Sequence, residues 1–191
     1  KESATASNGK ENPATKRKMA KRAMNAETVT EETYSISQTD GKFKVVGGSL
    51  TEDGEYLNSL TEEFNKILSF GTDTNININF DNVNISSGAP GAPKLTKGCE
   101  LTLKGTYTSA AEAFIIGSDD TFIIHNEANI TTKSYVIGRS SAPESTVIFE
   151  QSGGTVESVG GFYMYENDVI SLKEGTINGN ARGNGGTGSI K

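Results

Sequence analysis

Between Ala113 and Ile177 the chain writes one phrase three times, and a chain that repeats itself on this scale has few folds open to it. The first copy is Ala113-Phe-Ile-Ile-Gly117 with Thr121-Phe-Ile-Ile-His-Asn-Glu-Ala-Asn-Ile130. The second is Tyr135-Val-Ile-Gly138 with Thr146-Val-Ile-Phe149 and Gly154-Thr-Val156, and the third is Phe162-Tyr-Met-Tyr165 with Asp168-Val-Ile-Ser171 and Gly175-Thr-Ile177. Each reads as a short apolar strand, a polar turn, a second strand, another turn and a third short strand. No single copy can bury its own apolar face, so the copies must cover one another, as stacked units do in a solenoid. Their spacing is uneven: Gly117 to Gly138 is 21 residues, Thr121 to Thr146 is 25 and Thr155 to Thr176 is 21. That unevenness suits coils whose turns differ in length while their strands keep register.

A stacked coil needs a narrow core, and the composition supplies no more. Of 191 residues 34% are hydrophobic and none is tryptophan, while 22 glycines suit a fold with many tight turns. The length fits one domain. Cys99, the single cysteine, cannot form an internal disulfide; it alternates in phase with Leu101 and Leu103 and reads as a small buried hydrophobe.

The net charge of -6 is unevenly divided. Residues 1–26 hold seven Lys/Arg and two Glu, about +5, which leaves eleven cations against twenty-two carboxylates, about -11, for the rest. An acidic body without a basic face argues against nucleic acid as a partner. No apolar run approaches membrane-spanning length, and no signal peptide is visible. The sequence opens Lys1-Glu2 without methionine, as a processed product would.

Residues 1–30 are poor in large apolar side chains and are expected to form a disordered basic tail or tether, leaving 31–191 as the folded domain. From Tyr34 to Val46 the alternation of strands around Asp40-Gly41 reads as a hairpin or as the first edge strands of the coil. Leu57, Leu60, Phe64, Ile67 and Leu68 then recur at helical steps, Ser59 with Glu62 offers a capping box and Gly71 a stop. This predicts an amphipathic helix over about 55–70, suited to covering the open end of a coil. Coils are expected over about 72–191. They begin with Asn75-Ile-Asn-Ile-Asn-Phe80, in which Ile76, Ile78 and Phe80 share one side, and residues 86–94 read as a loop.

The helical stretch, Gly71-Thr-Asp-Thr-Asn-Ile-Asn-Ile78, and the closing phrase Ser171-Leu-Lys-Glu-Gly-Thr-Ile-Asn-Gly-Asn180 together resemble the right-handed parallel β-helix of pectin-lyase-like repeat proteins. The likeness is to those of bacterial cell surfaces, and it covers roughly residues 50–190. It implies an all-β solenoid, export to the cell surface, and either glycan adhesion or the cleavage of acidic polysaccharide. A lipid or cell-wall tether would run through the N-terminal tail.

Glycoside hydrolysis needs two carboxylates facing each other across a groove. Asp119 and Asp120 resemble the paired aspartates of polygalacturonase-like hydrolases, but no Asn-Thr-Asp or His-Gly accompanies them, and they sit where a turn needs polar residues anyway. A lyase would need a calcium site and a proton acceptor; Asp81, Asp119, Asp120, Glu150 and Asp168 lie on different coils, with Arg139 and Arg182 the arginines of the region. Calcium enters only under that alternative, and no other cofactor is expected. His125 has no second histidine or thiol beside it to close a zinc site, so no metal site is expected. What remains is recognition: Phe162, Tyr163 and Tyr165 stand among Asn, Thr and Ser, and aromatic faces beside amides and hydroxyls suit sugars. The expectation is therefore a non-enzymatic, secreted or cell-surface β-helix protein for adhesion or glycan binding. A polysaccharide lyase or glycoside hydrolase is the alternative, and a structural spacer or a fragment of a larger adhesin the second.

Overall fold

The structure, a computed structural model, describes residues 30–48, 74–86, 92–179 and 181–183. Two alternating stretches open it. β1 (Thr30–Thr39) and β2 (Lys42–Gly47) form an antiparallel hairpin. It turns at Asp40-Gly41, whose φ values of 52° and 74° are those a two-residue hairpin turn demands. The hairpin is also the edge of the coil, because β1 lies parallel to β3 (Thr74–Ile85).

From β3 onward every pairing is parallel. β4 (Lys94–Leu95), β6 (Phe114–Ile116), β9 (Tyr135–Arg139), β11 (Gly161–Met164) and β13 (Ala181–Gly183) stack into a five-stranded sheet in the order β13-β11-β9-β6-β4. Between them run β5 (Cys99–Ser109), β7 (Thr121–Asn126), β8 (Asn129–Thr132), β10 (Thr146–Ser158) and β12 (Val169–Asn178). These form the larger sheet, in the order β12-β10-β7-β5-β3-β1-β2, with β8 set between β10 and β5. The chain thus alternates between two sheets and returns one strand further along each time. This is the all-β parallel β-helix that the repeats imply, and the described residues contain no helix. The basic tail over 1–30, apart from Thr30, which begins β1, the helix over 55–70 and the middle of the 86–94 loop lie outside the described residues.

Register makes the core. Ile76, Leu101, Ile124, Phe149 and Ile170 lie opposite one another through successive strands, each 2% exposed or less. The neighbouring inward column is Tyr34, Ile78, Leu103, Asn126, Gln151 and Leu172, apolar except for two amides. Cys99 is buried against Phe122 and Leu101, as its phase predicts. Aromatic rings close the ends: Phe80 stacks on Tyr107 at 4.8 Å, Tyr107 tilts against Phe114 at 5.6 Å, and Phe149 meets Phe162 edge-on at 5.0 Å. The Tyr107 hydroxyl donates to Ala113 O at 2.8 Å, and burial pushes the phenol far above its ordinary pKa. The repeat alignment needs one correction: Ile115, not Gly117, lies opposite Gly138, because β6 pairs two residues earlier than the glycines suggest.

Two corners behave differently. Within the larger sheet the strands bend where Asn82, Gly105, Gly154 and Gly175 take left-handed φ of 50°, 84°, 59° and 83°. At Gly154 the need for glycine is steric as well, since a Cβ there would stand 2.4 Å from Ala128 O. The links from the smaller sheet back to the larger one, residues 96–98, 117–120, 140–145 and 165–168, instead differ in length. Aspartates tie successive links together here, which lets the strands stay in register while the turns vary.

Candidate functional site

The outer side of the smaller sheet carries the expected aromatics. Strand parity separates them: Phe162 and Met164 turn inward, Tyr163 and Tyr165 outward. Phe162 is therefore corrected from a surface ligand group to a core residue, 2% exposed with its ring on Phe149. Tyr163 and Tyr165 are partly exposed and meet edge-on at 5.9 Å, and Tyr135 from the preceding coil meets Tyr163 edge-on at 5.6 Å. Tyr135 on β9, Tyr163 on β11 and Tyr165 just beyond β11 make one stripe of three rings. On β9 Gly138 is covered: a Cβ there would come 2.7 Å from the Glu112 Cγ, so the Glu112 stem lies over that position.

The stripe is anchored from beneath. The Arg139 guanidinium sits 4.5 Å from the Tyr165 ring centroid, a cation–π contact, and pairs with Asp168; both side chains are 3% exposed. Arg139 also bonds the Ser145 hydroxyl. Asp168 accepts from the backbone N–H groups of Val147 and Tyr165, each at 2.7 Å. The sequence shows no acidic pair beside Arg139 because its partner is a coil away. With every oxygen engaged, the buried pair fixes where Tyr165 stands.

Asp119 and Asp120 are committed to the variable corner. Asp120 Oδ2 accepts from Gly98 N at 3.0 Å, one link back, and from Ser118 Oγ at 2.8 Å. Asp119 Oδ1 accepts from Glu144 N at 2.9 Å, one link forward. The two carboxylates thus reach in opposite directions along the axis, each to a backbone donor. Among the described residues no group of three or more His, Cys, Asp and Glu is arranged to hold a metal ion.

The outer side of the larger sheet holds a cluster that reasoning from the sequence missed. His125 lies between two carboxylates from the coils on either side, with Nε2 3.2 Å from Glu100 Oε1 and Nδ1 3.3 Å from Glu150 Oε1. Glu150 is also 2.6 Å from the Lys173 ammonium and accepts from Ser152 Oγ at 3.1 Å. Glu100 raises the His125 pKa most; partial burial opposes this, and Glu150 adds to the rise. Burial alone would raise Glu150, but Lys173, His125 and Ser152 together hold it below its ordinary value. A signal was available: 100, 125 and 150 are spaced by 25, the same step that separates Thr121 from Thr146.

Compared with known protein families, curated proteins and solved structures, the chain matches none.

Proposed function

We propose that this is a non-enzymatic, exported or cell-surface β-helix protein, akin to the pectin-lyase-like repeat proteins of bacterial surfaces, that binds glycan on the outer face of its smaller sheet. The observation that carries this reading is the stripe of Tyr135, Tyr163 and Tyr165, three adjoining rings, two on the parallel sheet and one in the link that follows it. A pyranose ring offers an apolar face and a rim of hydroxyls; tyrosine offers an apolar face and a polar tip. Rings already held by Arg139 and by one another lose little freedom when a sugar lands on them. The prior commitment of Asp119 and Asp120 to backbone donors on opposite sides favours binding over hydrolysis, which needs carboxylates facing each other across a groove.

Retention on a polysaccharide panel that includes polygalacturonate with calcium, read also for new reducing or unsaturated ends, tests this. The expected result is retention of at least one polysaccharide without product. Tyr163→Ala, which removes the central ring and leaves the core untouched, is expected to weaken that retention about tenfold, or about 1.4 kcal/mol. Product formation that Asp119→Asn or Asp120→Asn abolishes would make the protein an enzyme and end the reading.

A further inference from the structure

His125 has both ring nitrogens aimed at carboxylates. A neutral imidazole carries one N–H, so it satisfies one of the two; only the imidazolium donates to both. From this geometry we propose that Glu100, His125 and Glu150 form a proton-operated clasp that holds the central coil of the solenoid to its two neighbours.

The coil it holds is the one whose strand is broken at the bend. β3, β5, β10 and β12 run unbroken through the bend, whereas the central coil is interrupted there, ending β7 at Asn126 and restarting β8 at Asn129. Immediately inside the clasp the core column changes from Ile78 and Leu103 to Asn126 and Gln151. These amides bond each other at 2.9 Å, and Asn126 bonds Ala128 O at 3.0 Å and Ala128 N at 3.3 Å. Buried hydrogen bonds between the central coil and the next stand at this point, where Ile78 and Leu103 pack elsewhere in the column. The clasp therefore lies over the buried amide pair and beside the break between β7 and β8.

Among the described residues, the charges around His125 come from β5, β10 and β12. β5 contributes Glu100 and, further along, Lys104, which is 3.3 Å from Glu127. β10 contributes Glu150, and β12 acts through Lys173 on Glu150. When the proton leaves, the imidazole can donate to at most one of Glu100 and Glu150, and Glu150 keeps Lys173 and Ser152. The sign follows from the raised pKa: the clasp is closed below the ordinary histidine value and is lost as pH rises through the folded-state value. Glu150, held below its ordinary value, sets the other limit, and its share is lost as pH falls through that lowered value.

One histidine gives one imidazole spin system, so a proton NMR titration of the whole chain reads this site alone. The midpoint is expected above the ordinary histidine value, lower in Glu100→Gln, and lowest in Glu100→Gln/Glu150→Gln. The structural consequence is read by amide hydrogen exchange in β7 and β8, taken as the ratio of His125→Gln to wild type at each pH. Below the midpoint the wild type is expected to exchange roughly fivefold more slowly, the size of one partly exposed charge pair, and the ratio to approach one above it. A midpoint at or below the ordinary value, or a ratio that does not change with pH, overturns the proposal. If His125→Gln does not fold, Glu100→Gln serves in the exchange experiment with the same two outcomes.

Discussion

At Gly154 the backbone is left-handed and faces the Ala128 carbonyl, so a methyl group there meets both a strained φ and a collision. Gly154→Ala is expected to lower stability by about 1–3 kcal/mol, read as a lower urea midpoint with unchanged slope. Arg139→Met tests a different cost. It leaves Asp168 charged and 3% exposed with only backbone donors, and is expected to destabilise by about 3–5 kcal/mol in the same assay. Some of this was legible in the chain. The order Phe-Tyr-Met-Tyr at 162–165 already carries the period of two that sends Phe162 and Met164 inward and the tyrosines out; grouping Phe162 with Tyr163 ignored it. The Arg139–Asp168 pair was not legible, because 29 residues and a turn of unpredictable length separate its members.

Among the strands, β7 is the informative one. Its sequence, Thr-Phe-Ile-Ile-His-Asn, reads as an ordinary buried strand, and the structure adds that its last residue turns into the core as an amide. Asn126→Leu restores the apolar column yet strips partners from Ala128 and from Gln151. It is expected to destabilise by about 1–3 kcal/mol despite the added apolar volume, by thermal or urea unfolding. A gain in stability would mean that the amide ladder contributes less than a close-packed leucine would. Strand order and parity followed from alternation and from the threefold phrase, while the separate second and third strands expected of the last two copies are the continuous β10 and β12. Which outward residues meet across strands did not, because that depends on register, and register here is set by turns as much as by strands. The two-residue displacement of Gly138 relative to Gly117 is the cost of aligning glycines rather than inward-facing side chains.

For the molecule as a whole, parallel stacking means that each coil is protected by its neighbours and not by a common centre. Leu172 lies in the inward column but is 42% exposed, since β12 is the last strand of the larger sheet. Amides of β12 are accordingly expected to exchange ahead of those of β5 and β10 at any one pH, a gradient along the axis that a single globular core would not give. The two corners divide the labour of change in the same way. The bend at Gly105, Gly154 and Gly175 admits almost no alteration, since each backbone there rests on the one below. The opposite corner already holds links of three, four, six and four residues, at 96–98, 117–120, 140–145 and 165–168, and its aspartates grip backbone N–H groups, which every residue but proline supplies. New sequence can enter there without unpicking a strand. Heritable novelty in a lineage of such chains, and any loop that an engineer wished to graft, would accordingly accumulate along one edge of the coil while the rest was copied forward unchanged.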